Sequence, residues 1–78
     1  MYVRLEKINP SMRQKRFYTM RICQTLFGDW CLIREWGRIG SAGGQKIELW
    51  ASSETEVGEA FQKLHRSKCK RGYVEIGA

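Results

Sequence analysis

Trp30-Cys31-Leu32-Ile33-Arg34-Glu35-Trp36-Gly37-Arg38-Ile39 decides the fold of this chain. Successive side chains of an extended strand point to opposite faces. In the first half, Trp30 and Leu32 fall on one face and Cys31 and Ile33 on the other. Both faces are apolar there, which places this half inside a sheet. The second half turns polar, and the strand emerges from the core. Arg34, Trp36 and Arg38 share a face as cation, ring, cation. Such a row suits a sugar-phosphate end or an unstacked base, where the ring stacks and the guanidinium forks pair with phosphate oxygens. Simple core packing of the tryptophan is the competing reading of the same residues.

Working outward, Phe27-Gly28-Asp29 makes a tight reversal, and the alternating stretch Phe17 to Thr25 before it is a strand rich in β-formers. Met12 to Arg16, with three cations in five residues, reads as an exposed basic connection. Asn9-Pro10-Ser11 ends a first strand, Tyr2 to Ile8. Downstream, Gly40 to Gly44 is a flexible loop, and Gln45 to Ala51 is a fourth strand with Ile47 and Leu49 on one face. The period then changes. Ser53-Glu54-Thr55-Glu56 fits a capping box. Val57, Ala60, Phe61 and Leu64 follow as one helical apolar stripe. Arg66, Lys68, Lys70 and Arg71 crowd the end of that helix, and Gly72 is placed as its left-handed stop. Tyr73 to Ile76 closes the chain as a short strand. The expected fold is α+β, an antiparallel sheet of four to five strands with one helix packed on one face.

Seventy-eight residues make one domain, 1–78, too small to enclose a large substrate. Fourteen Lys and Arg against eight Asp and Glu leave a net charge of +6, which implies attraction to polyanions, most commonly nucleic acid. Solubility, or an acidic protein partner, is the alternative use of such charge. Cys23, Cys31 and Cys69 are odd in number and lack zinc-site spacing, so they read as reduced, mostly buried thiols. No segment has the apolar length of a membrane span, and the charged start is no signal peptide, so a cytoplasmic location is expected.

Enzyme chemistry is poorly supplied. The lone His65 has no positioned carboxylate or nucleophile evident in the sequence. The loop from Gly40 to Lys46 lacks the ending of a nucleoside-triphosphate loop. Arg71-Gly72-Tyr73 opens like an RNA-recognition strand, but Val74 and Glu75 break the aromatic pattern. No cofactor and no metal are expected. Cations stabilise a helix C-terminus whatever the ligand, yet four in six residues exceed that need.

The chain resembles a WGR domain, the module named for the tripeptide found here as Trp36-Gly37-Arg38. The likeness includes Phe17-Tyr18 opening a strand, Trp36-Gly37-Arg38-Ile39-Gly40, and the glycine-bearing Gly44-Gln45 loop. Ala60-Phe61 in the helix and Lys68 before Gly72-Tyr73 extend it over roughly residues 15 to 75. WGR domains occur in DNA-dependent poly(ADP-ribose) polymerases and in bacterial proteins, some little more than the domain itself, the type this chain is similar to. The resemblance implies an antiparallel sheet with one helix, and contact with DNA near a strand break. It implies that Trp36 stacks on a sugar at the broken end and that Arg38 lies beside it, as phosphate ligand or protein-docking arginine. The 78 residues contain no catalytic region for that arginine to signal to.

Two functions follow. The first is a nucleic-acid-binding module, DNA being the expected partner, that recognises backbone and strand ends without catalysis of its own. Its candidate residues are Trp36, Arg38, Arg34, Gly37, Gln45 and Lys46. The second is a protein-interaction or regulatory accessory module whose Trp-Gly-Arg surface docks an acidic partner.

Overall fold

The computed structural model describes residues 1–77. They form β1 (Tyr2–Asn9), β2 (Gln14–Gln24), β3 (Trp30–Arg38), β4 (Gln45–Ala51), helix α1 (Glu54–Lys70) and β5 (Val74–Ile76). Every strand pair is antiparallel, and the order across the sheet is β4-β3-β2-β1-β5. The fold is therefore α+β, with one helix on one face of a five-stranded sheet. β3 lies between β2 and β4, as its two-sided apolar first half requires.

Pairing register fixes what shares a face. Leu5, Tyr18 and Trp36 line up across β1, β2 and β3, and Met20 and Arg34 form the next rank. Ile22, Leu32 and Leu49 form a third. The helix covers this face: Leu5, Met20, Leu32, Val57 and Phe61 form the buried core with Tyr18. Ala60 and Leu64, the other members of the helical stripe, pack partly buried against it.

The helix begins with the Ser53 hydroxyl accepting a hydrogen bond from the Glu56 amide at 3.2 Å, a cap worth about 1 kcal/mol. The reciprocal bond of a full capping box, from the Ser53 amide to the Glu56 carboxylate, is not formed among the described residues. At the far end the Tyr73 amide bonds the Lys68 carbonyl at 3.1 Å, and the Gly72 amide bonds the Cys69 carbonyl, also at 3.1 Å. With Gly72 at φ 96°, this is the left-handed stop that the glycine signals. It turns Tyr73 back toward the sheet.

Two expectations change. β2 begins at Gln14 rather than Phe17, because a short 3-10 turn at Pro10–Met12 and a left-handed Arg13 reverse the chain within four residues. Pairing then starts at once with Asn9 opposite Gln14; ladder bonds are made by backbone, so basic side chains do not prevent them. The thiols are not mostly buried either. Cys31 is buried, Cys23 half-buried and Cys69 exposed, because the last lies on the helix away from the apolar stripe. Among the described residues, no helix is long and apolar enough to cross a membrane.

Candidate nucleic-acid interface

α1 starts near Trp30 and ends above Tyr18, so it leaves the Arg38 end of the sheet uncovered. Here Trp36 is half-buried. Its ring lies 5.6 Å from that of Tyr18, centroid to centroid, with the planes 12° apart, an offset stack. Tyr73, delivered by the helix stop, meets Tyr18 edge-on at 6.3 Å. Cations complete the platform. Arg34 sits 5.7 Å from the Trp36 centroid, and the Lys68 ammonium 4.4 Å from Tyr18 and 5.8 Å from Tyr73.

Beyond the aromatics lies a row of like charges. Arg16 pairs directly with Arg38, and Lys7 with Arg16, so three cations stand side by side on the helix face. Like charges directly opposite one another destabilise a sheet. None of the three has a carboxylate partner among the described residues; only Arg4 and Lys46 of all the lysines and arginines are ion-paired there. An open groove of about 480 Å³ runs past this end, lined by Arg13, Arg16, Trp36, Arg38 and Tyr73 among others. The arrangement can take an anion against the cations and a flat or sugar-like group against the indole.

The candidates from the sequence separate here. Arg34, Trp36 and Arg38 share the helix face, and Gln45 joins them opposite Trp36. Lys46 does not. It points to the open face, opposite Glu35, and its ammonium lies 3.5 Å from the Glu48 carboxylate. Gly37 is a packing position: a Cβ there would meet the Phe17 ring at 3.2 Å and the Gly44 Cα at 3.3 Å. Gly44 is tighter, since its Cβ would stand 2.6 Å from the Trp36 carbonyl oxygen. The two glycines let the loop after β3 close onto the strand that carries the indole.

Reading the sequence missed Tyr18, Tyr73, Lys68, Arg16 and Lys7. A signal existed for three of them. Counting outward from the Phe27 reversal places Tyr18 opposite Trp36 and Arg16 opposite Arg38. Lys68 continues the Phe61 and Leu64 stripe into the last turn of the helix, and Tyr73 arrives only through the helix stop.

His65 also differs from expectation. Its Nε2 lies 2.8 Å from a Glu75 carboxylate oxygen, and its Nδ1 lies 3.9 Å from the Cys69 sulfur. A carboxylate and a thiol are therefore positioned beside it: Glu75 comes from β5, and Cys69 lies one turn further along the helix.

Burial lowers the Lys68 pKa below its ordinary 10.5, and the positive charges of Arg71 and then Arg34 lower it further. The fold thus disfavours the protonated amine. That penalty is full below the lowered pKa, shrinks as pH rises above it, and is gone once pH passes the unfolded value of 10.5. A bound phosphate would reverse the preference. Affinity for an anion should therefore fall as pH climbs through the lowered pKa. Lys68→Arg should hold affinity to higher pH; identical pH profiles for the two proteins would remove Lys68 from the interface.

A model of the WGR domain family matches residues 1–78. An uncharacterized protein, y4dW, of Sinorhizobium fredii (strain NBRC 101917 / NGR234) is 44% identical over 69 residues, which is 88% of this chain. The match spans 33% of that relative, so the chain corresponds to about a third of its length.

Proposed function

Because the chain belongs to the WGR domain family, we propose that it is a nucleic-acid-binding module that docks a DNA strand end on the Trp36 platform. The observation that carries this reading is the row Lys7, Arg16 and Arg38. Three cations are aligned beside a half-buried indole, and among the described residues no carboxylate is paired with them. Such a row costs stability in the free protein and repays it when phosphates lie across it.

In this reading Lys7, Arg16 and Arg38 hold backbone phosphates. Trp36 offers its outer edge and face to the terminal sugar or base, and Tyr18 backs the ring. Arg34 and Lys68 supply positive field at the rim, and Gln45 contributes a neutral donor and acceptor. Binding needs no metal or cofactor and makes or breaks no covalent bond.

The test is a titration of labelled nicked duplex, blunt duplex and single-stranded DNA at two salt concentrations. Three phosphate contacts give a log-log salt slope of about −2.7 on duplex. Trp36→Ala should weaken binding to the nicked duplex by about 1–3 kcal/mol if the ring stacks on the exposed end. A flat salt response would refute phosphate binding. Equal losses on nicked duplex and on a covalently closed duplex without ends would refute end recognition alone.

A further inference from the structure

β4 is an edge strand seven residues long, paired on one side only. Its outer N–H and C=O groups have no ladder partner among the described residues. Natural sheets blunt such an edge with proline, a bulge, an inward charge or charged side chains, lysine above all. This one has neither proline nor bulge: Lys46 and Glu48 are its only charges, and they pair with each other on the open face. On the helix face the edge presents Ile47 and Leu49, each 45% exposed because α1 stops short of them. A groove of about 370 Å³ lies between this edge and the helix. Leu32, Ile47, Leu49, Ala60 and Leu64 make most of it apolar; Arg34 and Lys63 also line it, together with Ser67 and with Glu48, whose carboxylate is paired with Lys46.

We infer that β4 and this groove form a docking site for an extended peptide carrying apolar side chains followed by carboxylates on one face. The peptide adds as a sixth strand, and its backbone takes up the free hydrogen-bonding groups of β4. Alternate side chains of a strand return to the same face. Two apolar residues at i and i+2 can therefore cover Leu49 and Ile47, and the next residue on that face reaches the cations. Leu49 pairs with Leu32, whereas Ile47 pairs with Arg34, so apolar and cationic ends of the groove follow one another along the strand. Charge complementarity selects an acidic peptide over a second copy of this chain, which carries +6 itself. The site does not use Trp36, Arg16 or Arg38, so it stands apart from the nucleic-acid proposal except at Arg34.

The probe is acetyl-Val-Thr-Val-Thr-Glu-Thr-Glu-amide, titrated into the isotope-labelled protein, with a version bearing Lys for both Glu as control. The acidic peptide should shift the β4 amides and slow their exchange, and the lysine peptide should bind at least tenfold more weakly. Lys63→Glu should weaken the acidic peptide about tenfold with an unchanged melting temperature. Trp36→Ala should leave peptide binding intact while weakening DNA ends. Equal binding of the two peptides would overturn the inference, as would shifts confined to the Trp36 end. So would sedimentation showing β4 already closed by self-association.

Discussion

The double replacement Arg16→Gln with Arg38→Gln should weaken duplex binding about thirtyfold near physiological salt, because each lost phosphate contact removes about 0.9 from the log-log salt slope. The slope itself should become shallower by about 1.8. The same protein should melt higher than wild type. Arg16 and Arg38 face each other directly across β2 and β3, and neither is paired with a carboxylate among the described residues. A like-charge pair in that position costs about 0.2–1 kcal/mol, less as salt rises. Loss of affinity with gain of stability is a combination that a merely structural role would not produce. Single replacements should each give about half the change in slope. Thermal melts and salt titrations of the three variants check this, and a double variant that binds as well as wild type would sink the anion-row reading.

The second large effect concerns Tyr18. Its ring is 3% exposed, stacks on Trp36, meets Tyr73 edge-on and lies under the Lys68 ammonium. Tyr18→Ala should cost about 3–5 kcal/mol, the range for removing a large buried aromatic. A small domain has stability of that order, so much of the variant should be unfolded at 37 °C. Tyr18→Phe preserves the ring and its contacts and should melt within a few degrees of wild type. Burial holds the Tyr18 phenol above its ordinary 10, although Arg34 draws it back. The raised value means that the neutral form stabilises the fold fully below pH 10 and that this support is lost as pH rises through the folded pKa. Alkaline unfolding of wild type should therefore begin earlier than that of Tyr18→Phe. Both proteins unfolding at the same pH, or an Ala variant as stable as wild type, would show that Tyr18 is not the floor of the platform.

The two platform residues absent from any reading of β3 alone, Tyr18 and Arg16, show where the sequence carried information without announcing it. A reversal at Phe27-Gly28-Asp29 fixes the β2–β3 register, and register fixes which residues stand opposite Trp36 and Arg38. Lys46 illustrates the opposite case. Its place next to Gln45 suggested a shared surface, but adjacent strand residues face opposite ways, and Glu48 two positions on is its neighbour in space.

Local pattern alone determined the elements of this protein. Alternation marked the strands, a change of period and a Ser53 cap marked the helix, and Gly72 marked its end, because backbone preferences and amphipathic faces act over a few neighbours. The Trp36-Gly37-Arg38 motif and its flanking residues likewise pointed to the family without any coordinates. Which end of the sheet the helix leaves bare, and which side chains crowd there, was settled only by tertiary packing. Val57 and Phe61 seat the helix over Leu5, Met20 and Leu32, and its final turn then delivers Lys68 and Tyr73 to Tyr18. Those contacts join residues about fifty positions apart, and the burial that selects them exists only once the whole core has closed.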